Sequence, residues 1–433
     1  MIQPTNLEHE YLDFREIIVD RSQRQTLLPS ELNNQGIELL KRFENLGHIS
    51  DLEKATAMQR KAIISTPLNS VDRPLALSSL GISYQRRYEQ FGDVNDIDSA
   101  IRQQFKAVVS TPRNSTRQPA ILTDFGNAYL CRFERFGERK DIDSAVEQHL
   151  KAAASVPLNS VYRPDIFSSL GNSYQCRFEW FGNIQDLESA FKHQLEALAS
   201  VPLNNPNRPG ILANLGNSYL LRFQRFRKDI DFAIKQQLEA VASAPPDSPN
   251  KAVYLNDLGN TYCNRFTHFG EVDDIDSAIN QQLEAVASTL PNSAKRATYL
   301  HNLGLSYERR FEHSGHVKDI DSAIERLLEA VDSIPLDSAK RPVYLSSLGT
   351  SYGSRFLRFG EVKDIDLAIK QQLDAVTSTP LESTKRVGRL SNLGQSYKYR
   401  FKRFGEMKDN DFSIKLLLEA VSSIPFHLTA LTA

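Results

Sequence analysis

Apolar side chains recur along this chain on a fixed beat. Counted from Gly81, Leu80 stands at −1, Tyr84 at +3, Tyr88 at +7 and Phe91 at +10. Steps of four, four and three place these residues on one stripe of a helix. The stripe returns as Leu215, Tyr219, Phe223 and Phe226 around Gly216, and as Leu348, Tyr352, Phe356 and Phe359 around Gly349. Upstream, Pro74, Pro119, Pro164, Pro209 and Pro342 suit the first turn of a helix. Downstream, Gly92, Gly137 and Gly182 read as C-terminal stops. A second helix is predicted from Asp96, a candidate N-cap, with Asp98 also suiting the positive end of the helix dipole. Its apolar face is Ile97, Ala100, Ile101, Phe105, Ala107 and Val108, and Pro112 ends it. Strand-like alternation and Asn-Gly hairpin turns are missing. The predicted unit is an antiparallel pair of helices, A and B, with the stripe residues in its core.

The unit occurs nine times, marked by Gly36, Gly81, Gly126, Gly171, Gly216, Gly259, Gly304, Gly349 and Gly394. The spacing is 45 residues, with one interval of 43. A strict period of this length predicts an all-α solenoid rather than several globular domains. The short interval arises after Phe226, where two residues of the A–B turn are lost, and both helices are expected to stay whole. The glycine is expected to let helix B approach closely, at a helix cost of about 1 kcal/mol relative to Ala.

Charge and composition narrow the function. The 433 residues carry a net charge of −1, which argues against a strong electrostatic affinity for nucleic acid or an anionic membrane. No apolar run reaches the ~18–20 residues of a membrane span, and the N-terminus has no apolar signal core. Three cysteines argue against a disulfide framework and for a reducing, cytoplasmic setting. Cys131, Cys176 and Cys263 fall in different copies. The nine histidines are dispersed, and no HExxH, CxxC, P-loop or GxSxG motif occurs. We therefore expect no catalytic residue, no metal site and no cofactor, and do not expect an enzyme.

Leu80, Gly81 and Tyr84 on the first helix, then Ala100, Ala107 and Pro112, form a pattern that resembles the tetratricopeptide repeat. The unit exceeds the 34-residue norm, with seven extra residues between Tyr84 and Ala100 and four after the proline. A HEAT array has a similar period but lacks this signature. The long form resembles arrays of fungal proteins, which often precede a CHAT peptidase module. The resemblance implies a right-handed superhelix whose A helices line an inner groove, and a protein–protein interaction scaffold that holds an extended peptide there. The alternative it implies is the sensor region of a larger effector whose CHAT-type peptidase is absent from this chain. The expected division is an N-terminal helical cap or arm over residues 1–30, a nine-copy solenoid over 31–425 and a tail over 426–433. A helix over residues 11–30 is expected to cap the first copy. Leu416, Leu417, Leu418 and Val421 of the last copy are expected to be partly exposed, so that a further unit docks there or the chain continues.

Two rows of polar residues stand out. An arginine occupies +6 in every copy, from Arg42 to Arg400. Helix-B aspartates recur in step, so an internal Arg–Asp ladder is expected, each guanidinium lying on an aromatic ring. The face of helix A opposite the stripe is rich in amides: Asn127, Asn172, Gln175, Asn214, Asn217, Asn256, Asn260, Asn264 and Asn302. An amide offers both donor and acceptor to a peptide backbone, and helix interiors do not favour Asn. These nine residues are the predicted lining of the groove. The −6 positions, Leu75 to Gly388, are never basic, so no chaperone carboxylate clamp is expected.

Overall fold

A computed structural model describes residues 27–423, apart from residues 113, 247, 292, 294, 337, 339, 382 and 384. The predicted tail, and the predicted arm up to residue 26, lie outside the described residues. Within them the chain forms eighteen α-helices and no strand. Each copy supplies a helix A of 18–20 residues and a helix B of 14–17. Pro74 enters helix A of copy 2 (Arg73–Phe91) in its first turn, and Gly92 closes it in the left-handed conformation at φ 76°. Helix A of the first copy starts at Pro29, inside the stretch expected to be a cap.

Helix B begins earlier than predicted. In copy 2 it is Val94–Ser110, and its cap is Asp93, which accepts from the Asn95 N–H at 3.0 Å. Asp96 sits in the first turn instead, where its carboxylate faces Arg87 at 3.5 Å. The apolar stripe is buried over most of its length, but its last member is not. Phe91, Phe226 and Phe359 are about half exposed, because the chain reverses there and no helix B lies beneath the final turn. Phe359 leans on Phe311 of the preceding copy, at 6.3 Å between centroids. Phe105, expected on the buried face of helix B, is also exposed.

The marker glycine sets the closeness of the two helices. A Cβ at Gly171 would lie 2.6 Å from Gln194 Cγ and 3.3 Å from the Ala190 carbonyl oxygen. One helix-B residue rests on this glycine in each copy, and it is glutamine in six: Gln59, Gln104, Gln194, Gln237, Gln282 and Gln372. His149 takes the place in copy 3, Leu327 in copy 7 and Leu417 in copy 9.

Consecutive A helices touch one another, whereas each B helix touches only A helices. The A helices therefore form the inner wall and the B helices the outer one. The curvature is tight enough to bring copies five apart together. Leu290 in copy 6 approaches Gly47 in copy 1, its Cδ1 3.4 Å from where a Cβ would stand. Lys385, entering copy 9, lies 6.0 Å from the ring centroid of Trp180 in copy 4. Lys340, entering copy 8, is close enough to Glu134 in copy 3 for each charge to act on the other. One superhelical turn thus takes about five copies, and the inner wall encloses a lumen.

Copy 5, with the short interval, departs from the rest. Its helix B is Ile230–Ser243, 14 residues where the others have 16 or 17, so the deletion trims the helix rather than leaving it whole. Without the usual glycine, Arg227 (φ 60°) and Asp229 (φ 75°) both take left-handed backbone. For residues with a Cβ this costs roughly 1–2 kcal/mol each.

Candidate groove and its wall

The arginine row is internal, as expected. Arg177 Nε and Nη2 donate to the two oxygens of Asp186 at 3.0 and 2.7 Å, and Nη1 donates to Asp143 of the preceding copy at 3.0 Å. Its guanidinium stands 5.3 Å from the Tyr174 ring centroid. The near aspartate is almost fully buried, as at Asp141, Asp186 and Asp364. The cross-copy bond recurs from Arg132, Arg265, Arg310, Arg355 and Arg400. Each such arginine therefore fastens its own hairpin and ties it to the previous one. Arg222 pairs with Asp229 at 2.6 Å and lies 4.5 Å from the Phe191 ring; among the described residues it makes no ion pair with Glu188, which holds the second-carboxylate position in copy 4. A second arginine row went unnoticed in the sequence. Arg341 Nη1 donates to the Val331 and Ile334 carbonyls, closing the end of the preceding helix B, and Arg296 and Arg386 do the same one copy before and after it.

The predicted groove residues lie on the inner A-helix wall, but they divide into three groups. At one end of the helices, side chains bridge neighbouring copies. Asn214 Nδ2 donates to Ser168 Oγ at 3.1 Å, and Asn302 Nδ2 donates to Asn256 Oδ1 at 2.9 Å, with Asn256 buried. In the middle, Asn217 and Asn260 accept from the glutamines beneath them, Gln237 at 2.8 Å and Gln282 at 3.0 Å. Asn217 also donates to Asp257 at 3.0 Å, and Asn264 accepts from Gln224 at 3.0 Å. Gln175 Oε1 accepts from the buried Gln194 at 3.2 Å. Among the described residues no hydrogen bond engages the side chains of Asn127 and Asn172. Much of the amide row therefore serves the wall itself. At Asn217 and Asn260 the helix-interior asparagine satisfies a buried glutamine.

A cavity of about 200 Å³ opens on this wall at copies 4 to 6. Gln175, Asn217 and Asn260 of the predicted set line it, together with Glu179, Leu220, Leu221, Gln224 and Asp257. Asp257 was not foreseen, and its signal is an acid where neighbouring copies carry Ser169 and Asn214. Burial raises its carboxyl above the usual range, against donation from Asn217 and Asn256. Glu179 is raised for the same reason. Burial pushes Asp124 up to about 6, opposed by the Ser78 hydroxyl and Arg86. Glu134 is open to water by surface area, yet protein fills most of the space around it, as on a channel wall. That surrounding, then Glu89 and Glu179, push it up to about 7, with Lys340 acting the other way. Across copies 3 to 6, the inner positions −3, −2, +1, +4, +5 and +8 hold four carboxylates and no basic side chain: Asp124, Glu134, Glu179 and Asp257.

No protein-family model matches the chain, and no curated protein sequence does. Solved structures do. A human IFIT1 dimer with m7Gppp-AAAA is similar over 92% of this chain and 73% of that one, at 16% identity and a TM-score of 0.56. The apo form of the quorum sensor NprR from B. thuringiensis matches 90% of this chain and 99% of its own, at 12% identity and a TM-score of 0.47. A putative kinesin light chain from Podospora anserina with nearly identical TPR-like repeats matches 51% and 96%, at 14% identity and a TM-score of 0.39. The first of these supports the fold, an α-solenoid of tetratricopeptide-like hairpins, and nothing finer.

Proposed function

We propose that this solenoid is a protein-interaction scaffold whose lumen holds an extended, positively charged segment of a partner protein. The observation that carries this reading is the cavity at copies 4 to 6. It joins two carboxylates, Glu179 and Asp257, to the amides Gln175, Asn217, Gln224 and Asn260 and to two leucines. Amides suit a peptide backbone, the leucines an aliphatic stem, and the carboxylates a lysine or arginine head. Four carboxylates against no basic side chain at the inner positions of copies 3 to 6 weigh against RNA, whose phosphates a binding wall must neutralise. The capped oligonucleotide in the IFIT1 structure belongs to that protein. On this reading the chain binds and does not catalyse. It acts in a reducing compartment, where Cys131, Cys176 and Cys263 stay thiols.

The test is titration calorimetry of the full chain with unstructured peptides of graded charge and with a single-stranded RNA. Cationic peptides should bind, and the Glu179→Gln/Asp257→Asn variant should weaken them by about tenfold or more, at ~1.5 kcal/mol or more for a charge-assisted bond. Tight RNA binding, or equal affinity of the variant for cationic peptides, would overturn the reading.

A further inference from the structure

Copy 5 has a shorter A–B turn than its neighbours, and its arginine stands apart from the rest of the ladder. The two residues lost after Phe226 correspond to a glycine and a glutamate in copies 3, 6, 8 and 9: Gly137-Glu138, Gly270-Glu271, Gly360-Glu361 and Gly405-Glu406. Basic residues remain around the deletion, at Arg222, Arg225, Arg227 and Lys228. Among the described residues, the one ion pair made by residues 222–229 joins Arg222 to Asp229. Helix B of this copy has lost its first turn, and a cavity of about 620 Å³ opens there, lined by Arg222, Phe226, Lys228 and Asp229.

Six equivalent arginines show what such a place holds. Arg132, Arg177, Arg265, Arg310, Arg355 and Arg400 each donate Nη1 to an aspartate of the preceding copy, at 2.7–3.0 Å. Arg222 donates no hydrogen bond among the described residues. Its Nε lies 2.6 Å from Asp229 Oδ2, but the N–H is not aimed at that oxygen, and the nitrogen is buried without a partner. Glu188, at the position of those aspartates, forms no ion pair among the described residues. The guanidinium is nevertheless held, 4.5 Å from the ring centroid of Phe191 and 5.0 Å from that of Tyr219. Stacking engages the faces of a guanidinium and leaves the donors at its edge for an anion. Arg87 in copy 2 likewise donates no hydrogen bond among the described residues, but its A–B turn keeps full length and two acids, Asp93 and Asp96.

We propose that the shortened turn of copy 5 is a docking site for an acidic segment of a partner protein, one carboxylate of which takes the place that an aspartate fills in six other copies. Arg222 donates to that carboxylate from the edge of its guanidinium, Lys228 supplies the second cation, and the part-exposed ring of Phe226 receives the aliphatic stem. Glu188 competes for the same donors from within the chain and so weakens the site. Asp229 stays beside Arg222 and repels an anion in proportion to its charge, which favours a singly charged carboxylate over a phosphate. The site lies at the A–B turn and is independent of the amide-lined wall.

Fluorescence anisotropy of the full chain with a labelled oligoglutamate peptide tests this. The peptide should bind at about 0.1 M salt, where charges still act over ~10 Å, and an oligoglutamine peptide should not. Arg222→Gln/Lys228→Ser should weaken binding about tenfold or more, the loss of one charge-assisted hydrogen bond, and Glu188→Gln should tighten it. Inserting a glycine and a glutamate after Phe226 gives the turn the length it has in other copies and should abolish binding, with the helical circular dichroism spectrum unchanged. Equal affinity of the folded double variant or of the inserted variant would overturn the site. If the double variant fails to fold, the inserted variant decides alone. Displacement of the peptide by inorganic phosphate, at an ionic strength where sodium chloride does not displace it, would overturn the assignment to a carboxylate.

Discussion

His149 makes copy 3 one acid-sensitive point of the array, as the buried His301 does copy 7. His149 rests on Gly126 where most copies place a glutamine, and it is wholly buried. Nε2 faces the Thr123 carbonyl at 3.2 Å and so donates, which leaves Nδ1 to accept from Ser173 Oγ at 2.9 Å. The neutral ring is thus fully satisfied. Burial lowers its pKa from 6.5 to about 4, with the Thr123 bond acting the other way. A depressed folded value means that stability is fully present above pH 6.5 and is lost as pH falls toward 4. The full loss is about 3 kcal/mol, and about 2 kcal/mol of it has gone by pH 5. Asp124 and Glu308, raised to about 6 and about 7, work in the opposite direction. The comparison must therefore be a difference between two proteins. His149→Gln restores the side chain that six other copies carry. Urea unfolding followed by circular dichroism should give similar stabilities at pH 7.5 and a variant more stable by about 2 kcal/mol at pH 5. Parallel pH profiles for the two proteins would refute the argument.

Four further outcomes follow from the wall. Gly171→Ala should destabilise by about 1–3 kcal/mol, because its Cβ collides with Gln194 and the Ala190 carbonyl, whereas Gly353→Ala, with nothing within 4 Å, should stabilise by up to about 1 kcal/mol; equal melting shifts would refute the packing role. Arg177→Ala should cost about 2–3 kcal/mol by stranding the buried Asp186, and Arg177→Lys should recover only part of it, as thermal unfolding would show. Asn217→Ala should cost about 1–3 kcal/mol by leaving Gln237 unpaired, although alanine is the better helix former, and Asn217→Ala/Gln237→Leu should recover much of that loss in the same assay. Deleting the ninth copy should leave the rest folded, read as a stepwise fall in stability rather than collapse of the whole chain.

The fold was legible because periodicity is local information. The 4-4-3 stripe, the proline entry and the glycine exit each act within one hairpin, and the structure places them so. The arginine row could also be read, since acids recur in step with Arg177 and its equivalents. Errors came where one copy leans on another. Phe359 reads as core by period, yet it rests on Phe311 of the neighbouring unit. Asp93 rather than Asp96 caps helix B because Asp96 is held by Arg87, a contact across the A–B turn. The wheel gave the face of the amide row but not its hydrogen bonds. Asn217 and Asn260 look like free ligand groups on a helical wheel, but the glutamines beneath them, 20 and 22 residues on, also bond to them. In copy 7 both places are apolar, with Leu305 at +1 and Leu327 beneath. The five-copy turn was invisible, because superhelical pitch sums small rotations that no single repeat encodes.

The interval of 43 residues gives the array a seam. At every junction from copies 2–3 to copies 8–9 but one, an arginine grips a carboxylate of the unit before it. The exception is the junction of copies 4 and 5, where Arg222 makes no second ion pair among the described residues and the helix it should brace has lost its first turn. From copy 6 on, buried side chains from Ala252 to Ala420 join in a single continuous core, while copies 1 to 5 hold theirs in separate smaller clusters. The missing arginine tie and the change in core continuity thus flank copy 5 on its two sides. Bending strain applied to the coil would gather at copy 5, whose helix B is the shortest of those described.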